Sequence, residues 1–142
     1  MPAGASTFSA SYAGARRKFL GAAEAAGLQV EAKPHPLPGL QGEPLAMDVA
    51  RDGDASASRL LILSSAFHGV EGFCGSGVQV ALLRDADWRR RAAEAGVAVL
   101  YIHALNPYGF SHIGRTTHEN VDLNRNFHDF SQPLPVNAAY RE

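Results

Sequence analysis

The segment Ser64–Gly77, SSAFHGVEGFCGSG, sets His68 and Glu71 three residues apart just beyond the apolar run Leu60–Leu63. An imidazole nitrogen and a carboxylate oxygen are both zinc donors, and catalytic zinc sites use three protein ligands with one position left open. Gly69 and Gly72 give a turn the freedom to bring the two heads together. A polar turn at the top of a sheet is the plainer reading, because so short a pattern recurs by chance. A second polar concentration, GRTTHENVDLNRNFHDF, carries Arg115 and then the pair Asn124-Arg125. A guanidinium grips a carboxylate through two parallel hydrogen bonds, and a neighbouring amide adds a directional donor. Arg115 suits the oxyanion that forms when a carbonyl is attacked. Alternatively, these charges pair with Asp122, Glu119 or Asp129 on a surface loop.

The elements that must position these residues can be read from apolar periodicity. Residues 9–26 read as an amphipathic helix, with Tyr12, Phe19 and Ala23 on one face and Gly27 as its C-terminal cap. Strands are expected at 28–32, 45–50, 60–65 and 97–103, with the proline-rich stretch KPHPLPGLQGEP irregular between the first two. A helix is expected from about Gly75, with Val78, Leu82 and Leu83 on one side, continuing or restarting near Asp85 and ending at Gly96. Strand, helix, strand at this spacing is a right-handed βαβ unit, so the strands at 60–65 and 97–103 run parallel. Both are apolar throughout, the pattern of strands covered on both faces. Ligands in open parallel sheets gather at the carboxyl ends of strands, where His68–Glu71 and Asn106–Phe110 both fall.

Composition removes several alternatives. The chain has 142 residues, 46% hydrophobic content and a formal net charge of -1, which gives no electrostatic reason to expect nucleic acid or an anionic membrane surface. Arg89–Arg91 alternate with Asp85, Asp87 and Glu94 and read as a solvated helix face. The single Cys74 reads as a small buried side chain, and with no continuous apolar segment of signal or membrane-spanning length, a cytoplasmic setting is the expectation.

The conjunction HGVEGF, HALNPYGF and ENVDLNRNF, in that order, resembles the zinc metallocarboxypeptidase family, and its wording a poorly characterised bacterial branch of it. The resemblance runs from the N-terminal helix to Pro135. It implies a three-layer α/β/α fold with a mixed, centrally parallel sheet, in which residues 1–142 are a single domain, the amino-terminal part of a metallocarboxypeptidase-like catalytic domain. It implies His68 and Glu71 as zinc ligands and Arg115 as the group that polarises the scissile carbonyl. Asn124 and Arg125 would hold the free carboxylate of a peptide or acylamino acid, with Asn106 helping to shape the space between. The implied reaction is amide hydrolysis, with the metal as Lewis acid and activator of water. The family's third zinc ligand, a histidine, and its glutamate base would lie past Glu142, and His103, His112, His118 and His128 are not expected to substitute. The chain alone is therefore expected to be inactive and to self-associate through an uncovered sheet edge. Two alternatives stand beside this reading: a zinc amidohydrolase of N-acyl amino acids, and a non-catalytic truncated relative that binds metal or carboxylates.

Overall fold

In the computed structural model, which describes residues 7–133 and 136, four strands form one mixed sheet. They are β1 (Val30–Pro34), β2 (Ala46–Asp52), β3 (Arg59–Ser64) and β4 (Val97–His103), in the order β1-β2-β4-β3. The β1–β2 and β2–β4 pairs are antiparallel, and β4–β3 is parallel with Ser64 opposite Ile102. Helices α1 (Tyr12–Ala25), α2 (Gly69–Arg84), α3 (Ala86–Glu94) and α4 (Pro107–Ser111) flank the sheet. This is the expected three-layer α/β/α class, in the form of a partial carboxypeptidase-like fold. The parallel pair lies at one side of these four strands rather than at their centre.

Each helix has a local cause. Ser11 caps α1 by accepting from the Gly14 N–H at 3.2 Å. Gly27, at φ 73°, ends it, with its N–H bonded to the Glu24 carbonyl and the Leu28 N–H to the Ala23 carbonyl. Tyr12, Phe19 and Ala23 are buried on its inner face, as their spacing predicts. Asp85 caps α3 by accepting from the Trp88 N–H. Arg89 reaches from α3 to Asp52 and the Ala26 carbonyl, tying that helix to β2 and α1.

The main difference from expectation is the start of α2, which begins at Gly69 rather than Gly75, so His68 is its N-cap and Glu71 lies in its first turn. Glycine-rich sequence reads as a helix breaker, but here glycine answers crowding. A Cβ on Gly69 would lie 2.2 Å from the Gly109 carbonyl oxygen, and one on Gly72 would lie 2.8 Å from the Ala66 Cβ. Turning the helix from that start also points Val78 to solvent, and with it Cys74, which was expected to be a small buried side chain.

Phe19, Ala22 and Ala23 of α1, Val80 and Leu83 of α2, and Ala50, Val99 and Tyr101 of the sheet share one buried cluster, with Trp88 of α3 against it. β3, expected to be covered on both faces, is an edge of the sheet among the described residues, and Leu60, Leu61 and Ile62 are 49%, 41% and 55% exposed. An unbroken apolar run reports what a strand can bury, not what stands beside it. Among the described residues no helix is long and apolar enough to cross a membrane.

Candidate metal and carboxylate site

The carboxyl ends of β3 and β4 turn sharply, and three residues other than glycine adopt left-handed backbone there: Ala66 (φ 58°), Ala104 (φ 63°) and Ile113 (φ 55°). Such positions cost on the order of 1 kcal/mol or more each and persist only where surrounding bonds fix them. Those bonds are present. The Leu105 N–H donates to the Ser65 carbonyl and the Asn106 N–H to that of Ala66, while the Gly69 N–H donates to Gly114 and the Gly114 N–H to Gly109. Strain and clamps together hold His68 above the sheet.

His68 is nearly buried and stands between two carboxylates. Its Nε2 lies 2.9 Å from Asp122 Oδ1, and its Nδ1 lies 3.4 Å from Glu71 Oε1. Asp122 in turn accepts from Arg115 Nε at 2.8 Å and from the Asn124 N–H at 3.0 Å. The His68 and Arg115 hydrogen bonds, in that order, hold the Asp122 carboxyl well below the usual carboxylate range. Glu71 is also lowered, first by its own backbone N–H and then by His68. A cavity of about 370 Å³ opens beside His68, Glu71, Ile113 and Arg115.

These donors fit zinc as far as they go. Two ligands at 2.0–2.1 Å on a tetrahedral ion stand roughly 3.3 Å apart, close to the His68–Glu71 separation. With Nε2 donating to Asp122, the Nδ1 lone pair faces the Glu71 carboxylate unless a proton or a cation lies between them. A carboxylate on the outer nitrogen of a histidine ligand is the usual partner that fixes its tautomer and orientation. Among the described residues, however, no group of three or more His, Cys, Asp or Glu side chains is arranged to hold one ion.

The other expected site residues divide. Arg115 lies on the same edge as His68, engaged by Asp122 yet 57% exposed. Asn124 and Arg125 follow Asp122 in a short 3-10 turn, Leu123–Arg125, both exposed, and Arg125 has no carboxylate partner among the described residues. Asn106, expected to help shape the space between these groups, is buried and caps α4. Its Oδ1 accepts from the Gly109 N–H at 2.9 Å, and its Nδ2 donates to the Phe67 carbonyl at 3.3 Å. His103 is buried against Ser76 and does not join the cluster. Asp122 is the residue that sequence reasoning counted only as a surface ion-pair partner. Its signal was a carboxylate two residues before Asn124-Arg125, where an imidazole ligand needs an acceptor. A larger cavity, about 440 Å³, runs along α1, but the one arginine that it draws toward the core, Arg16, is already bound to Asp48.

Residues 8–142 match the family described as "Protein of unknown function (DUF2817)". No curated protein matches the chain. Among solved structures, a presumed carboxypeptidase from Burkholderia mallei superposes with a TM-score of 0.55 at 21% identity, over 80% of this chain and 30% of its own. A Zn-dependent exopeptidase from Parabacteroides distasonis gives 0.49 at 15% identity, over 84% of this chain and 47% of its own. A Tannerella forsythia glutaminyl cyclase gives 0.47 at 15%, over 84% and 49%. The chain thus spans a third to a half of the length of these proteins. The first superposition shows a shared fold.

Proposed function

We propose that this chain, which belongs to the DUF2817 family, contributes part of a zinc-dependent hydrolase site for a peptide or acylamino acid with a free carboxylate. The observation that carries the reading is His68 bracketed by Glu71 on one ring nitrogen and Asp122 on the other. His68 and Glu71 would hold the ion, which when bound supplies Lewis acidity and a more acidic water. The remaining roles belong to the chain. Asp122 fixes the imidazole, and Asn106 fixes the Phe67 carbonyl and so the approach to His68. Arg115 leans on Asp122 while its exposed guanidinium edge is free to meet a carbonyl oxygen as charge develops there. Asn124 and Arg125, exposed on the same edge, receive the carboxylate.

Hydrolysis also needs a third donor and a proton acceptor, which the described residues do not assemble. A second reading is a module that binds metal or carboxylates without turnover. The acylamino-acid alternative rests on the same side chains as the peptide one. Zinc content after gel filtration tests the shared premise: the chain is expected to retain zinc and His68→Ala to lose it. Equal zinc in both proteins would sink the reading. Assays on carboxyl-terminal peptide and acylamino-acid substrates then separate the two classes, and zinc-dependent turnover by the monomer would exclude the binding module.

A further inference from the structure

Four aromatic rings gather where the connection between β1 and β2 meets the loop that carries Arg115 and Asp122. His35 comes from the connection, His118 from the loop, and Tyr108 and His112 from α4 and its C-cap. Tyr108 stacks on His112, and its ring centroid lies 5.8 Å from those of both His35 and His118. His35 and His118 are 83 residues apart in sequence, yet Nε2 of the first lies 3.2 Å from Nδ1 of the second. Their rings stand at 88° to each other with centroids 4.8 Å apart. A head-on hydrogen bond between those two nitrogens would leave the centroids farther apart than this. The ring axes are therefore bent off the line that joins the nitrogens, which weakens a donated N–H. Two imidazoles on one ion require such a bend, and on a tetrahedral ion their nitrogens stand roughly 3.3 Å apart.

We infer that His35 Nε2 and His118 Nδ1 form a second cation site, for a divalent transition ion that favours imidazole, such as Ni2+, Cu2+ or Zn2+. Main-chain bonds hold both donors without the ion. The His35 N–H donates to the Leu45 carbonyl and the Leu40 N–H to Ser111 Oγ, each at 2.9 Å. On the other side the Thr117 N–H donates to the Val121 carbonyl and the Asn120 N–H to that of Thr117. Leu37 meets the far nitrogen of His35 with both main-chain groups, its carbonyl at 3.3 Å and its N–H at 3.1 Å. A cation on Nε2 selects the first of these, with Nδ1–H donating to the carbonyl as the outer nitrogen of a ligand histidine does. No group of three or more His, Cys, Asp or Glu side chains surrounds one ion among the described residues, so water completes the sphere and the ion exchanges readily. That sets this site apart from zinc retained through gel filtration. Its ion ties the β1–β2 connection to the loop that holds Arg115 and Asp122.

Ni2+ titration, followed through the ring resonances of each histidine by NMR, tests this. The paramagnetic ion is expected to broaden His35 and His118 together, at one Ni2+ concentration and ahead of His103 and His128. The same pairing is expected in His68→Ala, so failure here and failure of the zinc reading are told apart. In calorimetry on that background, His35→Asn and His118→Asn should each weaken Ni2+ binding about 100-fold, because two-point holding is lost. The loss in the double variant should be less than the sum of the two. Broadening of one ring without the other, of neither, or of both only alongside His128 would overturn the site and leave a shared proton as the whole content of the contact. Two single losses that add would overturn it as well.

Discussion

Two histidines stand at the ends of adjacent parallel strands, and they have opposite surroundings. His103 closes β4. It is fully buried, stacked on Phe19 with ring centroids 4.6 Å apart, its Nε2 2.9 Å from Ser76 Oγ and its Nδ1 without a hydrogen bond among the described residues. Burial pushes its pKa down to about 4. His68 lies just past the end of β3, and a carboxylate oxygen approaches each of its ring nitrogens. Position at a strand end, then, does not select a ligand. Neighbours do: burial among apolar rings, which outweighs the nearby Asp48 carboxylate, keeps His103 neutral and makes it part of the core, while carboxylates on both nitrogens prepare His68 for a cation.

The largest effect expected from this contrast is on stability. His103→Ala removes a ring packed between Phe19 and Phe110 and strands the Ser76 hydroxyl, and should cost about 3 kcal/mol in urea unfolding. His68→Ala, at the mouth of an open cavity, should cost well under half as much. Similar losses in both variants would break the distinction between packing and site.

Acid should expose the same difference. The folded-state pKa of His103, about 4, lies below its ordinary value of 6.5, so the unfolded chain takes up a proton first as pH falls. The contribution is complete above about pH 6.5 and is lost progressively down to about pH 4, a gap worth on the order of 3 kcal/mol. Carboxylates held low, such as Glu43 and Asp129, make their losses at lower pH. Urea midpoints between pH 7 and pH 4 should therefore fall in the wild type, and the slope should flatten in His103→Gln. An unchanged slope in that variant would assign the acid sensitivity elsewhere.

What the sequence disclosed about this contrast was chemistry within short reach. His68 and Glu71 were visible because three residues separate them, and the parallel pair because two apolar runs bracket a helix. The start of α2 was hidden because Gly69 and Gly72 look like breakers until the Gly109 carbonyl and the Ala66 side chain are seen against them. Asp122 was hidden for another reason, since its partner His68 is 54 residues away and no local pattern records that meeting. The exposure of β3 was illegible too, because an edge is defined by an absent neighbour. Asn106 was placed by resemblance as a residue that shapes the space between the site groups, and the fold uses both ends of its amide, which no local pattern records.

The finest test compares the two groups that touch the Nε2 atoms, Ser76 on His103 and Asp122 on His68. Ser76 is buried between helix and sheet, so its hydrogen bond serves packing, and its removal should move the unfolding midpoint while leaving zinc uptake unchanged. Asp122 sits in the loop above the sheet, where its carboxylate orients His68 and steadies Arg115. Asp122→Asn keeps the shape and an acceptor oxygen but removes the charge that makes the imidazole a stronger donor. Zinc affinity, measured by competition with a chelator, should weaken about 10- to 100-fold, with the unfolding midpoint of the metal-free chain nearly unchanged. A midpoint that drops while affinity holds would make Asp122 another Ser76, a structural partner. The likeness between the two histidines would then run deeper than their surroundings suggest.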